Sequence, residues 1–143
     1  MSNKSKPAPV VYSFSGRWES ALRSKKVTVF FRKRRPVVVP PRVFFYVGVP
    51  VKSIIGFASV KFIEQVGLRE AIKYKDAGCI TELELNKYIG NDGSVHAIHI
   101  EHAVIFEKAI DLEDIKEAFG FNPPQSFSNV SDSFERRLTE SGS

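Results

Sequence analysis

The densest chemistry in the chain lies between Arg23 and Tyr46, where cations are interleaved with aromatic rings. Lys33, Arg34 and Arg35 follow Arg32 without interruption, and Arg23, Lys25, Lys26 and Arg42 flank them. Guanidinium and ammonium groups hold phosphate oxygens through charge-assisted hydrogen bonds, and aromatic faces stack on bases. Alternate residues of an extended strand share a face. Over Val27–Arg32 this puts Thr28, Phe30 and Arg32 on one side and Val27, Val29 and Phe31 on the other. The second set is expected in the core, and the first on a surface suited to a nucleotide. Arg42, Phe44 and Tyr46 share a face in the same way. The competing expectation is that Phe30 and Phe44 are simply buried and the charges only solubilise. The candidate nucleic-acid contacts are therefore Arg23, Lys25, Lys26, Thr28, Arg32, Lys33, Arg34, Arg35, Arg42 and Tyr46.

Other reactive residues point nowhere in particular. His96, His99 and His102 have the look of a metal run. At ~3.3 Å per residue, however, a strand sets His96 and His102 ~20 Å apart and turns His99 to the opposite face. One zinc ion cannot collect ligands at that separation, so no metal site is expected. Cys79 is the only cysteine, which excludes an intrachain disulfide and a cysteine-built metal site. Glu82, Glu84, Glu113 and Asp114 fall where acidic side chains complement helix N-termini. There is no Gly-rich phosphate loop and no dinucleotide fingerprint, and no cofactor is expected.

The chain has 143 residues, enough for one domain with its own core, and 43% of them are hydrophobic. The net charge of +5 conceals an asymmetry. Residues 1–42 hold eleven basic residues and one acidic residue, Glu19, for a net of +10. The remainder holds ten basic and fifteen acidic residues, a net of −5. Such polarity favours a polyanionic partner. No apolar signal core and no membrane-length apolar run is present, so the expectation is a soluble, cytoplasmic protein with no membrane partner.

These residues need elements to position them. Residues 1–9 read as a flexible arm, 10–138 as one domain, and 139–143 as a frayed tail. Strands are expected at Val10–Phe14, Val27–Arg32, Arg42–Gly48, Ile54–Val66, with a bend or bulge at Gly56, and Val95–Phe106. Short helices are expected at Arg17–Arg23, at Gly67–Ala77 and from Thr81 to near Gly90. The last opens with a capping box from Thr81 to Glu84. Asn91-Asp92-Gly93 reads as a turn. A further helix is capped by Asp111, and a last one spans Ser131–Leu138. Pro123–Phe127 reads as an extended segment, a rigid packing latch with the lining of a cleft as the alternative. With no parallel βαβ rhythm, the economical fold is α+β: a small, curved antiparallel β-barrel with short helices at its ends.

The order of features carries a resemblance. Lys26–Lys33 (KVTVFFRK) follows a short helix. Phe44–Gly56 (FFYVGVPVKSIIG), the helix Thr81–Tyr88 (TELELNKY) and the strand His96–Phe106 come after it. Over about residues 17–127 this resembles the PUA-like superfamily, particularly ASCH-type domains and a related archaeal group. The resemblance implies a PUA-like barrel that binds RNA in a cleft beside the early helix–strand turn, with ribosomal or transfer RNA as natural partners and DNA a lesser candidate. Some small ASCH-type enzymes deacylate N4-acetylcytidine with a Lys, a Thr three residues on, and a distant Glu. That pattern implies Lys25, Thr28 and, as one choice, Glu64. At the turn, though, Ser24 stands for the family's Gly, Val29 for its Glu and Phe31 for its Arg. These departures weigh against catalysis. The primary expectation is therefore an RNA-binding module. The alternatives are an amidohydrolase on acylated cytidine and a protein-interaction subunit of a ribosome or transcription complex.

Overall fold

The structure is a computed structural model that describes residues 7–91 and 93–142. Most of the expected N-terminal arm (residues 1–6) and Asp92 of the expected turn lie outside the described residues. The strands are β1 (Val10–Phe14), β2 (Val29–Arg32), β3 (Arg42–Val47), β4 (Ser53–Gly67), β5 (Ser94–Asp111) and β6 (Phe127–Asn129). The helices are α1 (Glu19–Arg23), α2 (Leu68–Lys73), α3 (Glu82–Ile89), α4 (Leu112–Phe119) and α5 (Asp132–Gly142), and a 3-10 turn at Gly16–Trp18 leads into α1. α2 is shorter than the helical spacing suggested, and α5 takes in residues 139–142, which were expected to fray.

All strands join one sheet in the order β2-β5-β4-β3-β1-β6. Four neighbouring pairs are antiparallel, whereas β1 and β3 run parallel. Parallel neighbours need a long crossover, and the segment holding α1 and β2 supplies it. The β4–β5 pairing slips register at three places, the first between Ile54 and Gly56. Bulges bend a strand and raise its twist, so the two long strands curl instead of lying flat. At Gly56 a Cβ would sit 2.2 Å from the Val104 carbonyl oxygen. Only glycine admits that approach.

The concave side of the curled sheet holds the main core, in which Tyr12, Phe14, Phe30, Val43, Phe45, Ile55 and Ile98 converge. Two further apolar layers cover the outside. One packs Phe44, Tyr46 and Ile54 against Ile115, Phe134 and Leu138 of α4 and α5. The other packs Val29, Phe31, Val66 and Ala97 against Ala71 of α2 and Leu85 and Ile89 of α3. β2 and β3 are therefore covered on both faces. This corrects the expected division of β2 into a core face and a nucleotide face: Phe30 fills the barrel, while Val29 and Phe31 are sealed by helices. Phe44 and Tyr46 are buried on the side of the sheet opposite Phe30.

Candidate nucleic-acid interface

The sheet does not close by backbone pairing. β2 is an edge strand, and β6 pairs β1 only from Val10 to Tyr12. The end of β1 and the end of β2 therefore meet across a seam bridged by side chains. Arg32 donates from Nη2 to the Ser13 carbonyl at 2.8 Å and from Nη1 to the Phe31 carbonyl at 3.1 Å. The Tyr12 hydroxyl donates to the Arg34 carbonyl at 2.9 Å. The rings of Tyr12 and Phe14 meet Phe30 edge-on, 5.3 and 5.1 Å between centroids.

This seam opens into a cleft of about 410 Å³. Ser13, Phe14 and Ser15 come from the end of β1, Trp18 from the 3-10 turn, and Phe30 to Arg32 from β2. Gly78 and Ile80 follow α2, Glu84 and Tyr88 lie one turn apart on α3, and Gln125 closes the rim. A contiguous recess is lined by Arg32, Lys33, Arg34, Tyr88, Gln125 and Ser126.

Arg32 is the floor. Its guanidinium carbon lies 4.5 Å from the Phe14 ring centroid, 5.1 Å from Phe30 and 5.5 Å from Tyr12. Burial lowers its pKa, and the neighbouring Tyr88 and Tyr12 act in the opposite direction. The Tyr12 hydroxyl is pushed well above the ordinary phenol range, by burial first, against the pull of Arg32 and Arg35. Among the described residues no carboxylate pairs with Arg32. A guanidinium has five N–H donors, and two are used on carbonyls. A desolvated cation with donors to spare, at the bottom of a recess with hydroxyl and amide side chains on its walls, suits an anionic or carbonyl-bearing ligand.

The rim combines charge and rings. Lys33 stands over the Tyr88 ring at 5.0 Å, and Arg17 lies over Trp18 at 4.0 Å. Arg17 also grips Glu84 with two bonds of 2.9 and 2.7 Å. Glu84 completes the expected capping box with Thr81, and the Thr81 amide first, then Arg17, hold its carboxyl below the usual range. Glu84 is thus a committed structural anion, poorly suited to accept a proton.

The candidate contacts separate. Arg32, Lys33 and Arg34 come together at the cleft, and Arg35 lies alongside, donating to the Pro36 carbonyl at 3.0 Å. Arg23 is paired with Glu19 at 2.9 Å, and Arg42 with Glu135 of α5 at 2.5 Å. Tyr46 packs on Phe121 beneath α5, on the opposite face of the sheet from Phe30. Lys25 and Thr28 line a separate groove with Glu101 and His102. Glu64 is not in that groove; it accepts from the Tyr74 hydroxyl and meets His99 Nε2, both at 2.8 Å. Asp111 stands at the N-cap of α4, but its side chain accepts from the Ser53 hydroxyl instead of capping the helix. Trp18, Tyr88, Ser13 and Gln125 are cleft residues that strand alternation does not reach. The spacing of Glu84 and Tyr88 on one helix face was the available signal for α3.

A curled, mostly antiparallel sheet with five short helices and a cleft at its open seam defines the PUA-like α+β class. No family model matches the sequence. An ASCH domain-containing ribonuclease of Zymomonas mobilis is 32% identical over 120 residues, which span 81% of this chain and 80% of that protein. The crystal structure of the Zymomonas mobilis ASCH protein superposes with a TM-score of 0.87 at 27% identity, covering 95% of this chain and 96% of that one. The N-terminal domain of Staphylothermus marinus McrB shares the fold at a TM-score of 0.61 and 9% identity, covering 95% of each chain. The chain belongs to the ASCH domain family.

Proposed function

We propose that this ASCH domain binds RNA and seats one unstacked nucleotide in the seam cleft. The observation that carries the reading is the cation set Arg32, Lys33 and Arg34, which lines the recess adjoining the cleft and has no carboxylate partner among the described residues. Arg32 meets an acceptor edge of the base or a phosphate. Lys33 and Arg34 hold the backbone, and Trp18 and Tyr88 offer ring surface. Sequence-specific RNA recognition favours single-stranded loops whose bases can be splayed out and stacked. The kinship with a protein named a ribonuclease supports RNA as the polymer. Structured ribosomal or transfer RNA are the natural first probes.

The test is an anisotropy titration with a labelled single-stranded RNA over a salt series. Three phosphate contacts predict an affinity loss of roughly twenty-fold between 50 and 200 mM salt. Lys33→Glu with Arg34→Glu weakens binding and makes the logarithmic salt slope shallower by about 1.4. An unchanged slope in the double variant would remove these residues from the phosphate grip.

The relative's name favours a second reading, RNA cleavage. Incubation of end-labelled RNA with the protein, with and without a chelator, tests it by the appearance of shortened fragments. The amidohydrolase alternative, through Lys25, Thr28 and Glu64, predicts release of cytidine from N4-acetylcytidine, read by mass spectrometry.

A further inference from the structure

The connection from β2 to β3 carries a feature that the fold does not use. Pro36 and Pro40 are buried, and between them the chain arches outward. Val37 is 97% exposed, Val38 56% and Val39 38%. Three consecutive valines held out to water between two anchored prolines form a stiff apolar knuckle, since each proline fixes its own φ. The arch begins three residues after Arg34, whose carbonyl is tied to Tyr12 and whose side chain lines the cleft. Three residues span at most ~11 Å, so the knuckle stands beside the cleft mouth. Lys33 and Arg34 are exposed next to it, with no carboxylate partner among the described residues. Its neighbours therefore call for an anionic occupant that also offers an apolar face. Stacked bases between phosphates meet both demands. Three valines are too small an apolar area to hold a lipid surface unaided.

We infer that Val37–Val39 is a wedge that packs against the bases flanking the nucleotide seated in the cleft, and so lets this domain take a base from structured RNA. The inference rests on the RNA-binding reading above. Taking a base out of a stack breaks its stacking on both neighbours, and apolar side chains inserted at a base step compensate for that loss in other nucleic-acid-binding proteins. The wide, shallow minor groove of an RNA helix leaves such a step accessible. An unstructured strand has no stack to open, so the wedge contributes little there.

The experiment compares the unmodified chain with Val37→Ser plus Val38→Ser. Both positions are largely exposed, and an unchanged thermal unfolding midpoint verifies that the fold is intact. The probes are an RNA stem–loop carrying 2-aminopurine in its closing base pair, an oligouridylate, and phosphatidylserine–phosphatidylcholine vesicles. The expected result is roughly tenfold weaker binding of the stem–loop, the factor that 1.4 kcal/mol of lost contact produces. The rise in 2-aminopurine emission is lost with it, while oligouridylate binding is retained. Equal stem–loop affinity and emission for both proteins overturns the wedge while leaving the RNA reading intact. So does vesicle binding that depends on the valines, which assigns the knuckle to lipid. Failure of the unmodified chain to bind either RNA overturns the RNA reading, and the wedge with it.

Discussion

His96 shows what a single buried atom costs. Its Nδ1 is shielded from solvent and has no hydrogen-bond partner among the described residues. It pairs with Arg32 across the β2–β5 ladder. Burial first, and the charge of Arg35 second, lower its pKa below the ordinary 6.5. The unfolded chain therefore binds a proton more readily than the folded one. Stability is full above pH 6.5 and falls as the pH drops below it, because protonation then favours the unfolded state. His96→Phe should flatten the pH dependence of the urea midpoint between pH 7 and 5; an identical pH profile would assign the acid sensitivity to other groups. Residue types in the sequence singled out Arg32, Lys33 and Arg34, which the fold brings to one recess, because a run of cations is visible without coordinates. They did not disclose that Trp18, Tyr88 and Gln125 share one cleft. Those three lie far apart along the chain and become neighbours only when the seam between β1 and β2 forms.

Most elements could be read from local pattern, and α3 shows why. Thr81 accepts from the Glu84 amide at 3.1 Å, and Glu84 reaches back to the Thr81 amide at 3.0 Å. Thr81→Ala should cost about 1 kcal/mol, measured by urea denaturation with an unchanged slope. Because Glu84 also anchors Arg17 at the cleft wall, Glu84→Gln should free that guanidinium and remove a negative charge from the cleft, so that this variant binds RNA more tightly than Thr81→Ala does in the same titration; weaker binding would mean that Glu84 serves the site by holding Arg17 in place. β2 failed the local rule for a tertiary reason. Period-two alternation identifies a core face only where the other face meets water, and α2 and α3 cover the second face of β2. The same holds for Phe44 and Tyr46 under α5. The parallel pairing of β1 with β3 left no local trace, since strand residues look alike in either direction.

At the scale of the whole molecule, the charge asymmetry was only half informative. Arg17, Arg23 and Arg42 belong to the basic first third, yet each is held by a carboxylate: Glu84, Glu19 and Glu135. Among the described residues of that third, Lys25, Lys26 and the segment from Arg32 to Arg35 have no carboxylate partner, and Arg32, Lys33 and Arg34 of these line the recess. The acidic later part is thus a structural partner of the basic one as well as a source of opposite field. α5 closes the outer apolar layer through Phe134 and Leu138, and Leu138 is fully buried. Leu138→Ala should destabilise the fold by about 2–5 kcal/mol, measured by equilibrium unfolding; a loss below 1 kcal/mol would mean that α5 is a loosely docked appendage. The position of β1 has a consequence for biogenesis. This strand is synthesised before the other five described strands, yet it borders β3 on one side and β6 on the other. Its outer edge stays unmatched until residues 127–129 have been translated, so a stalled nascent chain would expose a bare template for misassembly.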